Sequence, residues 1–184
     1  MKRAVLVNGV PASGKSTVAR ELAGVTGWPV LALDTIKEAL FAHLGIGDRL
    51  YNRKLGQASY QAMFDLARDF PPDATVIADA WFGFQPTEVL TNYLERAGIG
   101  ATVEIWCASP PDVIARRYRS RLESRSAGHL GADYIPELVE LAARARPIGL
   151  WPVLRVDTTQ PPDCKGLATE IARLLRAGTP TGTL

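Results

Sequence analysis

The sequence predicts an α/β fold: a three-layer sandwich built on a five-stranded parallel sheet. Three features predict it. Five strand-length apolar runs recur along the chain, rich in β-branched residues and mostly without in–out alternation. Strands covered on both faces need such continuous runs, and parallel sheets are covered on both faces. Helical stretches separate the runs, as βαβ crossovers require. A glycine-rich loop follows the first run directly and opens the first helix.

The runs are Ala4–Val7, Pro29–Leu33, Ala74–Ala78, Ala101–Cys107 and Trp151–Val156. Between them, Lys15–Gly27 reads as a helix ending near Gly24 and Gly27, and Thr35–Leu44 stops at Gly45-Ile46-Gly47. Leu50–Asp69 ends before Pro71-Pro72, and Thr87–Ala97 ends at Gly98, a helix-terminating glycine. Pro110–Arg125, Tyr134–Arg146 and Gly166–Arg176 complete the set. No repeat, low-complexity tract or linker divides the chain, so residues 1–176 are expected to form one domain. Residues 177–184, rich in Gly, Thr and Pro, read as a flexible tail.

Composition sets limits on function. Of 184 residues, 47% are hydrophobic and 22% charged, and the net charge is +2, the balance of a globular protein with no global charge for long nucleic acid. No apolar run approaches the roughly 20 residues that span a bilayer. The start, Met-Lys-Arg-Ala-Val-Leu-Val, runs into Asn8 and Gly9 and reads as a strand, not a signal peptide. Cys107 and Cys164 lack metal-ligand spacing, and His43 and His129 are too scattered for zinc; two free thiols point to a reducing cytoplasm.

Gly9-Val10-Pro11-Ala12-Ser13-Gly14-Lys15-Ser16-Thr17 satisfies the phosphate-loop pattern G-x-x-x-x-G-K-[ST]. Gly9 and Gly14 permit backbone angles that turn successive amides inward around phosphate oxygens. Lys15 reaches the β- and γ-phosphates, the Ser16 hydroxyl can ligate Mg²⁺, and the new helix adds its positive end. The expected ligands are ATP and Mg²⁺.

Other residues bear on transfer. Asp34 closes the second apolar run, on the sheet edge where ligands of open parallel sheets sit. Its carboxylate can take the proton of an acceptor hydroxyl, or it can cap the Thr35–Leu44 helix. Lys37, one turn on, faces the same phosphates or solvent. Asp79 ends the third run, as an Mg²⁺-holding acid or as a turn aspartate. Trp81 and Phe82, followed by Phe84 and Gln85, wall an organic substrate or pack in the core.

Arg116, Arg117, Arg119, Arg121 and Arg125 precede a glycine-punctuated segment through Gly131. On a helix Arg117 and Arg121 share a face with Arg125 one turn further. They form either a lid at about 119–133 that closes on the triphosphate, or a solvated basic face. Asp157 and Thr158 leave the last strand in a loop that packs on adenine or simply turns.

Taken in order, these points resemble the small P-loop kinases, in particular the group of chloramphenicol phosphotransferase, zeta-toxin kinases and gluconate kinase-like enzymes. The resemblance covers Met1 to about Arg176. It implies strand order 2-3-1-4-5, a lid between the fourth and fifth strands, and ATP-dependent phosphorylation of a hydroxyl. By that likeness Asp34 is the base, Lys15 and Ser16 serve phosphate and Mg²⁺, and Arg117, Arg121 and Arg125 stabilise the transferred group. Where many such kinases carry Asp-x-x-Arg, this chain has Asp34-Thr35-Ile36-Lys37, and a lysine offers no bidentate fork. Of Arg49, Arg53, Lys54 and Arg68 only the first three cluster, so a sugar, sugar acid or antibiotic-like hydroxyl compound suits better than a nucleoside monophosphate. A zeta-toxin-like nucleotide-sugar kinase and a nucleotide-dependent switch on a protein partner are the alternatives. The expected partner is a small-molecule hydroxyl substrate, with neither nucleic acid nor membrane, and a monomeric or homodimeric state.

Overall fold

The computed structural model describes residues 1–177. Five parallel strands, β1 (Lys2–Asn8), β2 (Val30–Ala32), β3 (Thr75–Asp79), β4 (Ile99–Ala108) and β5 (Val153–Asp157), form one sheet in the order β2-β3-β1-β4-β5. β1 lies at the centre, with Val5 opposite Ile77 on one side and Val103 on the other. Its run is apolar throughout because both faces are covered. Ala4 and Leu6 face a layer holding Tyr60, Met63, Phe64, Leu90 and Leu94. Val5 and Val7 face Val18, Leu22 and Ile171. Those layers come from α3 (Arg49–Asp69) and α4 (Thr87–Arg96) on one face, and α1 (Lys15–Thr26) and α7 (Cys164–Ala177) on the other.

Two helix bounds differ from the sequence expectation in ways that matter. α2 (Leu33–Leu44) begins one residue before Asp34, its N-cap is Ala32, and no side chain caps it. Asp34 therefore does not act as a cap. α5 (Pro111–Ser120) stops five residues short of Arg125. The Ser120 and Ser124 hydroxyls donate to the Arg117 and Arg121 carbonyls at 3.0 and 3.3 Å, the local alternative serine offers to helical bonds. Like charges spaced a turn apart also oppose continuation. Arg117, Arg121 and Arg125 consequently do not share one helical face. The chain turns through 121–124, passes a 3₁₀ turn at Ala132–Tyr134 and enters α6 (Ile135–Arg144). At the other end Ala177 belongs to α7, and the remainder of the expected tail lies outside the described residues.

Tyr60 of α3 is fully buried, with ring centroids of Phe64, Phe82, Phe84 and Tyr93 at 5.3 to 5.9 Å. This cluster fixes the short 3₁₀ turn Phe82–Phe84 against α3. Both cysteines are buried free thiols, and burial pushes the Cys107 thiol up to about 12. Among the described residues no helix is long and apolar enough to cross a membrane.

A second fixed point is polar. Glu104, fully buried on β4, accepts from Asn8 Nδ2 at 2.7 Å and from the Ile148 and Gly149 amides at 3.0 Å. Three N–H donors converge on an acceptor-only group. Glu104→Gln turns one oxygen into a donor facing these N–H groups. It should lower stability by about 1–3 kcal/mol, read from the urea unfolding midpoint, whereas an unchanged midpoint would contradict this bonding.

Candidate active site

The C-terminal ends of all five strands meet along one edge. From β1 the chain enters the phosphate loop, which needs three unusual backbone positions: Gly9 at φ 154°, Ala12 at φ 63° and Gly14 at φ 88°. Gly9 has a steric reason as well, because a Cβ there would lie 2.4 Å from Ser13 Oγ and 2.9 Å from the Cys107 carbonyl. Ala12 has no such licence. A left-handed conformation costs a non-glycine residue about 1–2 kcal/mol, and the motif pattern leaves this position open. Ala12 and Val10 are held from beneath by Ile114, Tyr118 and Leu138.

Hydrogen bonds from elsewhere clamp the loop. Asn8 Oδ1 accepts from the Gly9 amide at 2.8 Å and the Phe82 amide at 3.1 Å, so one side chain registers the phosphate loop against the segment after β3. From β5, the buried Thr158 hydroxyl donates to the Ser13 carbonyl at 2.6 Å. Arg117 reaches the same point, donating to Ser109 Oγ at 3.0 Å and to the Thr158 carbonyl at 2.6 Å. Its guanidinium thus ties the exits of β4 and β5 together. Asp157 is exposed, its Oδ1 accepting from the Thr159 amide and hydroxyl at 2.8 and 2.7 Å, which hold its carboxyl below the usual range. It turns into its own loop and does not line the neighbouring cavity; Thr158, Thr159, Gln160, Pro161 and Pro162 do.

Three adjoining cavities follow this edge. One of about 330 Å³ lies between Gly14, Thr17, Arg117, Arg121 and the 158–162 loop. A second, of about 290 Å³, is bounded by Pro11, Lys15, Ser16, Asp34, Arg121 and Arg125. The third, of about 250 Å³, extends past Lys15, Asp34 and Asp79 to α3 and the 129–134 segment. Arg121 borders the first two; Lys15, Asp34 and Arg125 border the last two.

Charge is distributed unevenly along this path. Loss of water, and then the neighbouring Arg117 and Arg125, pull the Arg121 guanidinium below its usual range. Arg125 lies 3.8 Å from Asp34 and over the Tyr118 ring, 5.2 Å from its centroid. Asp34 is half-exposed. Asp79 is buried, and among the described residues its Oδ1 has no hydrogen-bond partner. Burial pushes its carboxyl up, while the Lys15 ammonium and the Ser16 hydroxyl pull it down. Among the described residues no cluster of three or more His, Cys, Asp or Glu could hold a metal by itself. An orphaned carboxylate oxygen near Ser16 does fit Mg²⁺, which keeps several waters and takes phosphate oxygens as ligands.

The third cavity has an apolar wall and a polar side. Trp81 and Phe84 line it, Phe82 does not. Phe82 is buried in the core beside Tyr60, because the 3₁₀ turn sends Phe82 and Phe84 to different sides. Gly83 leaves room for Trp81, whose ring would lie 2.3 Å from a Cβ there. Opposite stand Lys37, Asn52, Arg53 and Gly56, with Arg125 and His129 from the arginine-rich segment. That segment is pinned across the opening. Asn52 Nδ2 donates to the Gly128 carbonyl, His129 Nε2 bonds Glu38 at 2.8 Å, and the Tyr118 hydroxyl donates to the Leu130 carbonyl at 2.6 Å. Asn8, Glu104, Asn52, Gly56 and Tyr134 carry no motif signal, and only the fold brings them here.

A sequence profile of the AAA domain family matches residues 5–134. The chain belongs to the AAA domain family. None of the curated proteins is a significant match. Among solved structures, a protein from Chloroflexus aurantiacus J-10-fl assigned as a kinase is 27% identical. It superposes with a TM-score of 0.81 over 95% of this chain and 98% of that one. A gluconokinase from Sinorhizobium meliloti 1021 is 22% identical, with a TM-score of 0.55 over 95% and 90%. Shikimate kinase from Acinetobacter baumannii, in complex with shikimate, is 15% identical, with a TM-score of 0.51 over 98% and 95%. This AAA domain thus has the fold of small P-loop kinases.

The environment of Asp79 gives a test by pH. Its carboxyl is raised above the ordinary 3.8, so its contribution to stability is present below about pH 4 and lost as pH rises through the folded value. Without Mg²⁺, Asp79→Asn should therefore gain stability relative to wild type between pH 4 and 8, measured by thermal unfolding. Parallel curves would show that Asp79 ionises without cost.

Proposed function

We propose that this AAA domain is an ATP-dependent kinase that transfers the γ-phosphate of Mg²⁺·ATP to a hydroxyl of a small molecule. The observation that carries the proposal is Asp34, a half-exposed carboxylate at the boundary of two cavities, one lined by the phosphate loop and one by Trp81 and Phe84. In this reading the base lies between Thr17 and the 158–162 loop. The triphosphate lies along the loop amides from Gly9 through Pro11, Ala12, Ser13 and Gly14, with Lys15 at the β- and γ-phosphates. Ser16 and Asp79 would hold Mg²⁺, directly or through water, and the bound ion would supply neutralisation of phosphate charge.

The acceptor hydroxyl enters from the third cavity. Its oxygen bonds to the γ-phosphorus as the bond from that phosphorus to the ADP oxygen breaks. The hydroxyl proton passes to Asp34, and ADP carries away the electron pair of the broken bond. Arg125, 3.8 Å from Asp34, orients that carboxylate and, with Arg121, balances negative charge on the transferred group. Arg117, engaged by Ser109 and Thr158, has a bracing role at the nucleotide end. The segment across the opening acts as a lid that excludes water.

The test is an ADP-release screen of the purified protein against a library of hydroxyl metabolites, with the product identified by mass spectrometry. An acceptor should raise ADP release, and Asp34→Asn should lower acceptor-dependent kcat by about 10²- to 10⁴-fold with nucleotide affinity retained. Unimpaired transfer in Asp34→Asn would remove Asp34 from the role.

A further inference from the structure

The third cavity holds more positive charge than its own carboxylates match. Lys15 lies beside Asp79, and Arg125 is paired with Asp34. Lys37 and Arg53 remain, and among the described residues neither makes an ion pair. Lys37 is half-buried, and its ammonium gives one hydrogen bond, to Asn52 Oδ1. An ammonium has three donors. Asn52 offers it that oxygen alone, since the amide nitrogen is a donor and gives a bond to the Gly128 carbonyl. Loss of water pulls the Lys37 ammonium down, Asp34 raises it through space, and Arg125 opposes that. The ammonium also lies over the Phe41 ring, 5.4 Å from its centroid, and among the described residues no second hydrogen-bond acceptor completes it.

Gly56 defines that space. It is buried in the interior of α3, a 21-residue helix where alanine would be favoured over glycine. A Cβ built on it would meet only Lys37 within 4 Å, at 3.8 Å from Nζ and 3.9 Å from Cε. Nothing in the packing demands glycine. What the missing methyl leaves open is the flank of the Lys37 ammonium. Much of the remaining lining is apolar or aromatic: Leu33, Trp81, Phe84, Tyr118 and Tyr134.

We infer that the acceptor is a hydroxyl compound carrying an anionic group, seated between Lys37, Arg53 and Gly56, and a planar apolar body that lies against Trp81 and Phe84. This rests on the kinase reading for its hydroxyl at Asp34, but the anion seat exists independently of turnover. A carboxylate and a phosphate share the chemistry that Lys37 recognises. A neutral polyol can accept hydrogen bonds from the ammonium but brings neither a matching charge nor a planar apolar face.

Calorimetric titration of the full chain separates these cases with four probes. Three share one ring and hydroxyl: 4-hydroxyphenylacetate, 4-hydroxyphenyl phosphate and the neutral 4-hydroxybenzyl alcohol. The fourth, gluconate, has the charge without the apolar body. At least one anionic ring compound should bind about tenfold or more tightly than both the neutral alcohol and gluconate, as one charge-assisted hydrogen bond supplies. The stronger of the two names the anion. Lys37→Met should erase that preference. Gly56→Ala should weaken the same probe about fivefold or more while leaving the thermal midpoint unchanged or raised, which separates a filled site from a damaged fold. Equal binding of the neutral alcohol or gluconate, no binding by either anionic ring compound, or a preference that survives both substitutions would overturn the assignment. ADP release measured with the same probes reports separately on the kinase reading: a binder without turnover contradicts that reading and not the anion seat, and a neutral acceptor turned over with no anionic preference does the reverse.

Discussion

The hydrogen bond between Asn8 and Glu104 is the constraint on which the site depends. Asn8 closes the central strand and stands immediately before the phosphate loop. With its amide nitrogen held by Glu104, its carbonyl oxygen is aimed at the Gly9 and Phe82 amides. One fixed side chain thereby sets the entry of the loop and the start of the Trp81–Phe84 wall. Glu104 is itself held by the backbone at Ile148 and Gly149, so the chain between α6 and β5 joins the same network. The bonds of Asn8 to Glu104, Gly9 and Phe82 lie away from bulk water, where hydrogen bonds are stronger and an unmade one is costly. Thr158 secures the far end of the loop through the Ser13 carbonyl, and Arg117 secures Thr158. The left-handed turn at Ala12 persists because both ends are clamped and Ile114, Tyr118 and Leu138 support it from below.

With the backbone fixed, electrostatics give the edge its direction. Lys15, Arg121 and Arg125 gather around the middle cavity, and burial, then Arg117 and Arg125, pull Arg121 below its usual range. Asp34 and Asp79 border the same region from the ends of neighbouring strands but in opposite conditions, one half-exposed against Arg125 and one buried with an orphan oxygen. Two carboxylates in such different surroundings suit two tasks, proton acceptor and metal ligand.

Much of the fold was legible in the sequence, because strands covered on both faces are apolar along most of their length, and five segments came close to that, with Glu104 and Arg155 as the charged exceptions. The phosphate loop was legible because its groups are contiguous. What escaped depends on partners far apart in the chain. Nothing local marks Asn8 as the partner of Glu104, or Gly56 as the neighbour of Lys37. The sequence predicts that the helix carrying the arginines reaches Arg125, but serine back-bonding and like charges end it at Ser120, which sends Arg117 to the exits of β4 and β5 and Arg125 to Asp34. The aromatic residues after β3 were recognised as a group. Which rings face the cavity depends on a 3₁₀ turn that places Phe84 there and buries Phe82.

The central claim is transfer to a hydroxyl rather than to water. Phosphorus NMR of Mg²⁺·ATP turnover, with a hydroxyl acceptor present, follows the γ-phosphorus directly. The account predicts a phosphomonoester resonance that grows in step with ADP. Inorganic phosphate as the sole partner of ADP, whatever acceptor is supplied, would contradict it.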